Sequence, residues 1–263
     1  MRNLNRRFMF ILTVSMLGIF MAACGSDTTS DVEPKSFEAK EIEEIFVTTD
    51  GQNIEMRPSD NEKVKVSAKA GKEVPITLEG TVLTVDLEGS SSLINFKTDT
   101  LYVEVPRKIF KKISLNTTAG KISGKKITAE ELIVTADSGQ IDINGFEGKK
   151  IGGEIVAGDM NLKKIEGKFS LTNDTGDIDI SYKGVLEENS TITTHSGKVI
   201  MKFESKPNSL QVKASTGSGK IKNSLFSSEE LKVEGGKSIL NGKIGSGGAT
   251  LSIQSASGTI YID

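Results

Sequence analysis

The chain has 263 residues, with 33 Lys or Arg against 35 Asp or Glu, so its formal net charge is −2. It contains one Cys and one His, which excludes a disulfide scaffold and a Cys/His metal site. The charge balance also lacks the clustered, strongly basic domain that nucleic-acid binding needs. We therefore expect no nucleic-acid partner, no metal and no cofactor.

The N-terminus has the pattern of an export signal. A basic head, MRNLNRR, precedes an uncharged apolar run over residues 8–21 and then the phrase AACG, in which the Cys is Cys24. This order is typical of a secretory signal. The apolar run is also shorter than the roughly 20 residues that a spanning helix needs. The alternatives are an uncleaved signal anchor and an ordinary secreted protein.

The small residues before Cys24 resemble the lipobox of bacterial lipoproteins, although Met21 stands where Leu is usual. The resemblance implies a signal peptide over residues 1–23, cut before Cys24. It also implies a diacylglycerol thioether and further acyl chains, such as palmitate, on Cys24. Two or more chains make a stable anchor, so we expect a lipid-anchored protein on the extracytoplasmic face of the cell membrane.

Residues 24–36 hold the lipidated Cys and a short polar segment. The sequence after the Cys, GSDTTSDVEPKS, has too little apolar surface to fold alone. We expect a flexible tether here.

Residues 37–105 contain alternating apolar stretches, such as VKVSA over residues 64–68, that are interrupted by Gly and Pro. We interpret them as irregular first coils of one domain over residues 37–263, because the terminal repeats of a stack are atypical.

Residues 106–263 carry a tandem repeat centred on a glycine. The glycines recur with a period of roughly 20 residues, which is within the range of solenoid repeats. The last gap equals two periods and spans Gly235–Gly236, where we expect a weaker repeat. The repeat glycines are Gly120, Gly139, Gly158, Gly176, Gly197, Gly219 and Gly258.

Each repeat alternates apolar and polar residues, as in Leu132-x-Val134 before the glycine and Ile141-x-Ile143 after it. Alternation places the apolar residues on one face of a strand. The glycine allows a sharp turn with positive φ. The last inward position before the turn is small, since a tight bend leaves no room for bulk: Thr117, Ala136, Asn173, Thr194, Ala214 and Ser255.

Repeats of about 20 residues are too short for a strand and a crossover helix, and are typical of the coils of a β-solenoid. We predict an all-β, single-domain parallel β-solenoid with regular coils over residues 106–263. Equivalent residues would then stack about 4.8 Å apart. The alternative is an antiparallel meander or sandwich whose Ser-Gly phrases are hairpin turns.

The strand that ends in Val105-Pro106-Arg107, followed by Ser-Gly-x-Ile repeats, resembles a bacterial putative-adhesin family of unknown function. The resemblance covers about residues 40–263. It implies an extracytoplasmic β-helix-like domain in membrane-associated proteins encoded beside cell-envelope stress systems, and the family offers no established catalytic residues. We expect a non-enzymatic binding, adhesin-like or envelope-stress accessory module.

The alternative function is a β-helix enzyme that acts on cell-envelope polysaccharide. It would need two carboxylates about 5–10 Å apart. The candidates are Asp137, Asp142, Asp174, Asp177 and Asp179.

Lysine doublets in the mildly basic stretch over residues 107–168 suggest a binding surface. On stacked coils they would form a band that attracts anionic wall polymers or lipid head groups. The simpler interpretation is that they keep exposed strands soluble. The candidate residues are Lys125, Lys126, Lys149, Lys150, Lys163 and Lys164.

The sequence ends on a strand pattern that includes Ile260 and Ile262. An unpaired last strand is a template for pairing. We therefore expect either end-to-end self-association or docking on a membrane or envelope protein, with a frayed last coil as the alternative.

Overall fold

The computed structural model describes residues 34–68, 74–88, 99–226 and 231–263. The signal peptide expected over residues 1–23, Cys24 and most of the expected tether lie outside these ranges. The described part is all-β apart from a 3-10 turn at Ala39–Glu41, and its strands form one sheet. The strands are β1 Lys35–Glu38, β2 Glu44–Thr49, β3 Asn53–Ser59, β4 Lys63–Ala68, β5 Ile76–Glu79, β6 Val82–Asp86, β7 Thr100–Pro106, β8 Phe110–Ile165, β9 Lys168–Thr175, β10 Ile178–Tyr182, β11 Ser190–Ser196, β12 Val199–Phe203, β13 Leu210–Ser218, β14 Ile221–Asn223, β15 Leu231–Glu234, β16 Lys237–Ile244, β17 Thr250–Ser257 and β18 Ile260–Ile262.

The middle of the chain is a stack of parallel strands. Each layer of the stack has one extended segment before the repeat glycine and one after it, and β8, which contains Gly120, Gly139 and Gly158, runs through several layers. After the glycine, Ile178 of β10 lies between Met160 of β8 and Val199 of β12. All three side chains are buried. No layer could bury its apolar face alone, so the layers stabilise one another.

The repeat glycines meet at the first corner of the layers. Gly139 and Gly158 have φ values of 122° and 145°. A Cβ on Gly139 would overlap the carbonyl oxygen of Gly120, and one on Gly158 would overlap that of Gly139. Both the positive φ and the close backbone approach therefore require glycine here.

The small residues predicted to precede this corner are buried, with one correction. Thr216, not Ala214, pairs with Ser255, whereas Ala214 pairs with Ile253. The repeat alignment that placed Ala214 at the corner is thus wrong, and the corner position lies one inward residue further along the strand. β13 carries Gly217 as well as Gly219, which makes the sequence match ambiguous.

The C-terminal strands lie inside the stack, not at its end. β17 lies between β11 and β13, and β18 lies between β12 and β14, all in parallel register. Ile260 pairs with Val199 on one side and Ile221 on the other, and both Ile260 and Ile262 are fully buried. The predicted unpaired edge is therefore wrong, and end-to-end association through it loses its basis.

The expected weak repeat at Gly235–Gly236 is a hairpin turn instead. These glycines have φ values of 57° and 84° and join β15 to β16, which pair antiparallel. Two residues of positive φ are typical of the turn that joins antiparallel strands. β16 also pairs antiparallel with β13, so antiparallel strands close this end of the stack.

The N-terminal strands form a similar arrangement at the other end. β2 lies between β6 and β8, and β3 lies between β7 and β8, in parallel register. β5 then pairs antiparallel with β6, and β4 pairs antiparallel with β7 and β1. The sheet is therefore mixed, and the prediction of a wholly parallel sheet is wrong, because antiparallel strands pair with the outermost parallel ones.

Candidate functional site

A basic groove lies along the second corner of the layers, after the strand that follows the repeat glycine. It encloses about 790 Å³. One acidic residue, Glu147, and the exposed Ile109 lie in its wall. We call it the lysine groove, after its six basic residues: Arg107, Lys108, Lys125, Lys126, Lys164 and Lys183.

The backbone of the groove adopts an uncommon conformation. Lys126, Gly145 and Lys164 occupy the same corner position of three successive layers and have φ values of 50°, 93° and 53°. Among the described residues, these two lysines are the non-glycine positions with positive φ. A Cβ on Gly145 would lie 3.3 Å from the Cα of Lys126, so the two corners are in contact. The middle of the groove thus lacks a side chain, and lysines flank it.

Two of the basic residues form ion pairs at the rim. The Nζ of Lys183 lies 2.7 Å from a carboxylate oxygen of Glu166, and this hydrogen bond raises the pKa of Lys183. A guanidinium nitrogen of Arg107 lies 3.5 Å from Asp60, and both side chains are largely exposed. Exposed pairs of this kind are weak, so Arg107 keeps most of its attraction for other anions.

Lys108 connects the groove to the first residues of the domain. Its Nζ donates hydrogen bonds to the carbonyl oxygens of Ala39 and Ile42, at 2.6 and 2.5 Å. It also lies 5.1 Å from the ring centroid of Phe110. One end of the groove therefore lies beside the segment that joins β1 to β2.

The remaining three lysines of the groove are Lys125, Lys126 and Lys164. All three are exposed. Within the described part of the chain, no Asp or Glu lies within ion-pairing distance of their amino groups. The charges of Lys126 and Lys164 are thus available to a ligand. Lys125 also acts on Glu55, whose pKa is lowered mainly by the hydrogen bond from Arg57 and to a smaller extent by the charge of Lys125.

The other three candidate lysines lie outside the groove and form ion pairs with carboxylates. The hydrogen bond from Lys150 lowers the pKa of Glu131. The pairs are Lys149 with Glu130 at 3.0 Å, Lys150 with Glu131 at 2.7 Å and Lys163 with Asp179 at 2.6 Å.

Three of the five carboxylates considered for catalysis also have basic partners, and the other two, Asp137 and Asp174, are exposed. Asp142 pairs with Lys121, and a carboxylate oxygen of Asp177 lies 2.9 Å from the Nζ of Lys198. Partial burial alone would raise the pKa of Asp177, but hydrogen bonds from the side chain and backbone of Lys198 outweigh it and lower the pKa. A general acid of a glycosidase needs the opposite shift, so this geometry favours a structural role for Asp177.

Sequence reasoning missed Arg107, Lys108 and Lys183. Lys183 lies 19 residues after Lys164, but the register shifts between Ile180 and Tyr182, and Tyr182 pairs with Ile165. Lys183 therefore does not occupy the position of Lys164 in the next layer, and the repeat spacing could not have found it. Arg107 and Lys108 lie well before the first repeat glycine, Gly120. Only the close packing of this segment against the following layer places them in the groove.

Cys24, the predicted lipidation site, lies outside the described residues. Within the part of the chain that the structure describes, no helix is long and apolar enough to cross a membrane.

Several solved structures share low similarity with the chain. A putative cell adhesion protein from Clostridium sporogenes is 14% identical, with a TM-score of 0.34, and the match covers 88% of this chain and 99% of that one. A putative adhesin from Bacteroides fragilis is 11% identical, with a TM-score of 0.37, and the match covers 88% and 96%. A putative adhesin from Parabacteroides merdae is 13% identical, with a TM-score of 0.36, and the match covers 88% and 95%. These scores are too low to support an argument about function.

No curated protein matches the chain. The family model described as Toastrack DUF4097 matches residues 42–263, which include most of the described strands and the whole lysine groove. The chain therefore belongs to the Toastrack DUF4097 family.

Proposed function

We propose that this protein is a non-enzymatic binding module of the bacterial cell envelope, and that its lysine groove binds a negatively charged envelope component. The observation that carries the proposal is the positive φ of Lys126 and Lys164 on either side of Gly145.

The backbone conformation of the two lysines is costly. A non-glycine residue with positive φ costs about 1 kcal/mol or more, and Gly145 occupies the corresponding position of the layer between them without that cost. Folding alone would favour glycine at all three positions. The lysine side chains therefore serve a purpose other than stability, and strained positions of this kind are concentrated at binding sites.

The charge of the groove indicates the kind of ligand. Among the described residues, six basic side chains and one acidic side chain line it, and three of the lysines form no ion pair. A concave surface lined by one sign of charge concentrates ions of the opposite sign. The groove thus favours a ligand with several phosphate or carboxylate groups.

The place of action is the membrane surface. The AACG phrase around Cys24 supports removal of residues 1–23 and lipidation of Cys24. Intact-mass analysis of the membrane fraction should show a diacylated Cys24, and Cys24→Ala should abolish it. A wild-type mass without acyl chains would contradict the anchor.

The finer architecture that we propose is a β-solenoid between antiparallel ends, with coils of about 20 residues, the lower end of the range of solenoid repeats. The register supports it, since Ile178 pairs in parallel with Met160 of the preceding layer and with Val199 of the following one. A rigid stack of this kind suits an adhesin-like or envelope-stress accessory role, because it holds the groove lysines at fixed spacing.

A matched pair of double variants tests the groove. Lys126→Gly with Lys164→Gly removes two charges and relieves the strained φ, so the stability should stay within about 1 kcal/mol of wild type. Lys213→Ala with Lys220→Ala removes two exposed lysines outside the groove. Inorganic polyphosphate, titrated against each protein at low and physiological salt, is the probe.

The groove variant should bind polyphosphate about five- to thirtyfold more weakly than wild type, and the difference should shrink as salt screens the charges. The control variant should lose less than about threefold. Equal losses in the two variants would show that net charge, not the groove, binds the anion.

A further inference from the structure

We propose that the lysine groove docks on the surface of an anionic lipid bilayer. This inference rests on the proposed function and names the ligand of the same site. Three features of the groove support it: an exposed isoleucine among the lysines, the contact of the groove with the connection from β1 to β2 near the N-terminal end of the domain, and the charge of the rest of the protein.

Ile109 is the first feature. This residue is 67% exposed, and it lies in the wall of the groove next to Lys108. A soluble polyanion offers nothing to an exposed aliphatic side chain. A bilayer offers both phosphates for the lysines and an apolar boundary a few ångströms deeper, where such a side chain is buried.

The second feature is the distance from the predicted anchor. Lys108 of the groove contacts Ala39 and Ile42, and the described chain begins at residue 34. The segment between Cys24 and this point spans at most about 35 Å even when fully extended. A lipid on Cys24 would thus hold the groove at high effective concentration near the membrane.

The third feature is the charge of the mature chain. From Cys24 onward it has 30 basic and 35 acidic residues, a net charge of −5. An anionic membrane would repel such a domain in most orientations. A groove with six basic side chains and one acidic side chain is therefore the face that would turn towards the head groups.

Vesicle binding tests the proposal. The protein from Gly25 onward is used, because every described strand lies after this residue and the lipid no longer contributes. Vesicles of equal parts phosphatidylglycerol and phosphatidylcholine are compared with pure phosphatidylcholine. Ile109→Ser removes the apolar contact, and Val233→Ser is the control, since Val233 is 71% exposed and lies outside the groove.

The protein contains no tryptophan, so Ile109→Trp introduces a single indole at the proposed contact. Tryptophan is favoured at the membrane interface. Its emission should shift to the blue on the phosphatidylglycerol vesicles and stay unshifted with polyphosphate.

We expect Ile109→Ser to bind the anionic vesicles about five- to tenfold more weakly and polyphosphate as well as wild type does. Val233→Ser should change neither. Lys126→Gly with Lys164→Gly should weaken vesicle binding about thirtyfold.

Equal vesicle binding by wild type and Ile109→Ser, or an unshifted indole on vesicles that the protein binds, would overturn membrane docking. Either result would leave the groove as a polyanion site. If the lysine variant binds both polyphosphate and vesicles like wild type, the proposed function itself fails.

Discussion

Substitution of Gly139 tests the first corner of the layers, because an added side chain at this position would lower the stability in two separate ways. Its φ of 122° lies in a region that residues with a Cβ avoid, and an added Cβ would overlap the carbonyl oxygen of Gly120 in the neighbouring layer. The strained φ costs about 1–3 kcal/mol, and the backbone shift that relieves the overlap costs about the same. We expect Gly139→Ala to lower the free energy of unfolding by about 3–5 kcal/mol.

Gly184→Ala is the matched control. Gly184 also has a positive φ, of 95°, but an added Cβ would meet nothing within 4 Å. This variant should lose only the conformational part, about 1–2 kcal/mol.

Urea unfolding measures both variants: the midpoint should fall with an unchanged m-value. The melting temperature of Gly139→Ala should fall by about 10 °C. Equal losses in the two variants would refute the close approach of the layers at Gly139.

Three further predictions concern the sheet and its ion pairs. Ile260→Ala should cost about 2–5 kcal/mol in urea unfolding, because Ile260 is fully buried between two strands; a loss below about 1 kcal/mol would contradict the inserted position of β18. The pKa of Asp177 is lower in the folded protein than in the unfolded chain, so its ionised carboxylate stabilises the fold at pH values above the unfolded pKa of about 3.9. This contribution is lost as the pH falls through the pKa of Asp177 in the folded protein. Asp177→Asn should therefore flatten the acid side of the stability profile, and an unchanged profile between about pH 2 and 4 would count against the contact with Lys198. Lys150→Ala should change the free energy of unfolding by less than about 1 kcal/mol, since its pair with Glu131 is partly exposed; a larger loss would show a role beyond the pair.

Part of the candidate site could be predicted from the sequence. The lysine doublets included Lys125, Lys126 and Lys164, which the structure places together in one groove. The same pattern also selected Lys149 and Lys150, which pair with glutamates of the preceding layer. A doublet does not show which carboxylates will face it across a strand gap of about 4.8 Å, so the sequence could not separate available lysines from paired ones.

The sequence by itself determined the local conformation of the repeats. Strand faces follow from alternation, as in Leu132-x-Val134, and the first corner follows from a glycine such as Gly139, because both depend on residues a few positions apart. These short-range rules were sufficient for an all-β fold of stacked layers.

Only the tertiary structure decided the order of the layers. β18, with Ile260 and Ile262, follows β14 in the chain, yet it lies between β12 and β14. Apolar columns of Ile, Val and Leu fit any neighbouring layer almost equally well, so the pattern of one layer does not specify which layer lies above it. The order of the layers depends on the connections between strands and on the antiparallel strands at each end. These antiparallel strands pair with the outermost parallel strands, so that no further layer can pair there.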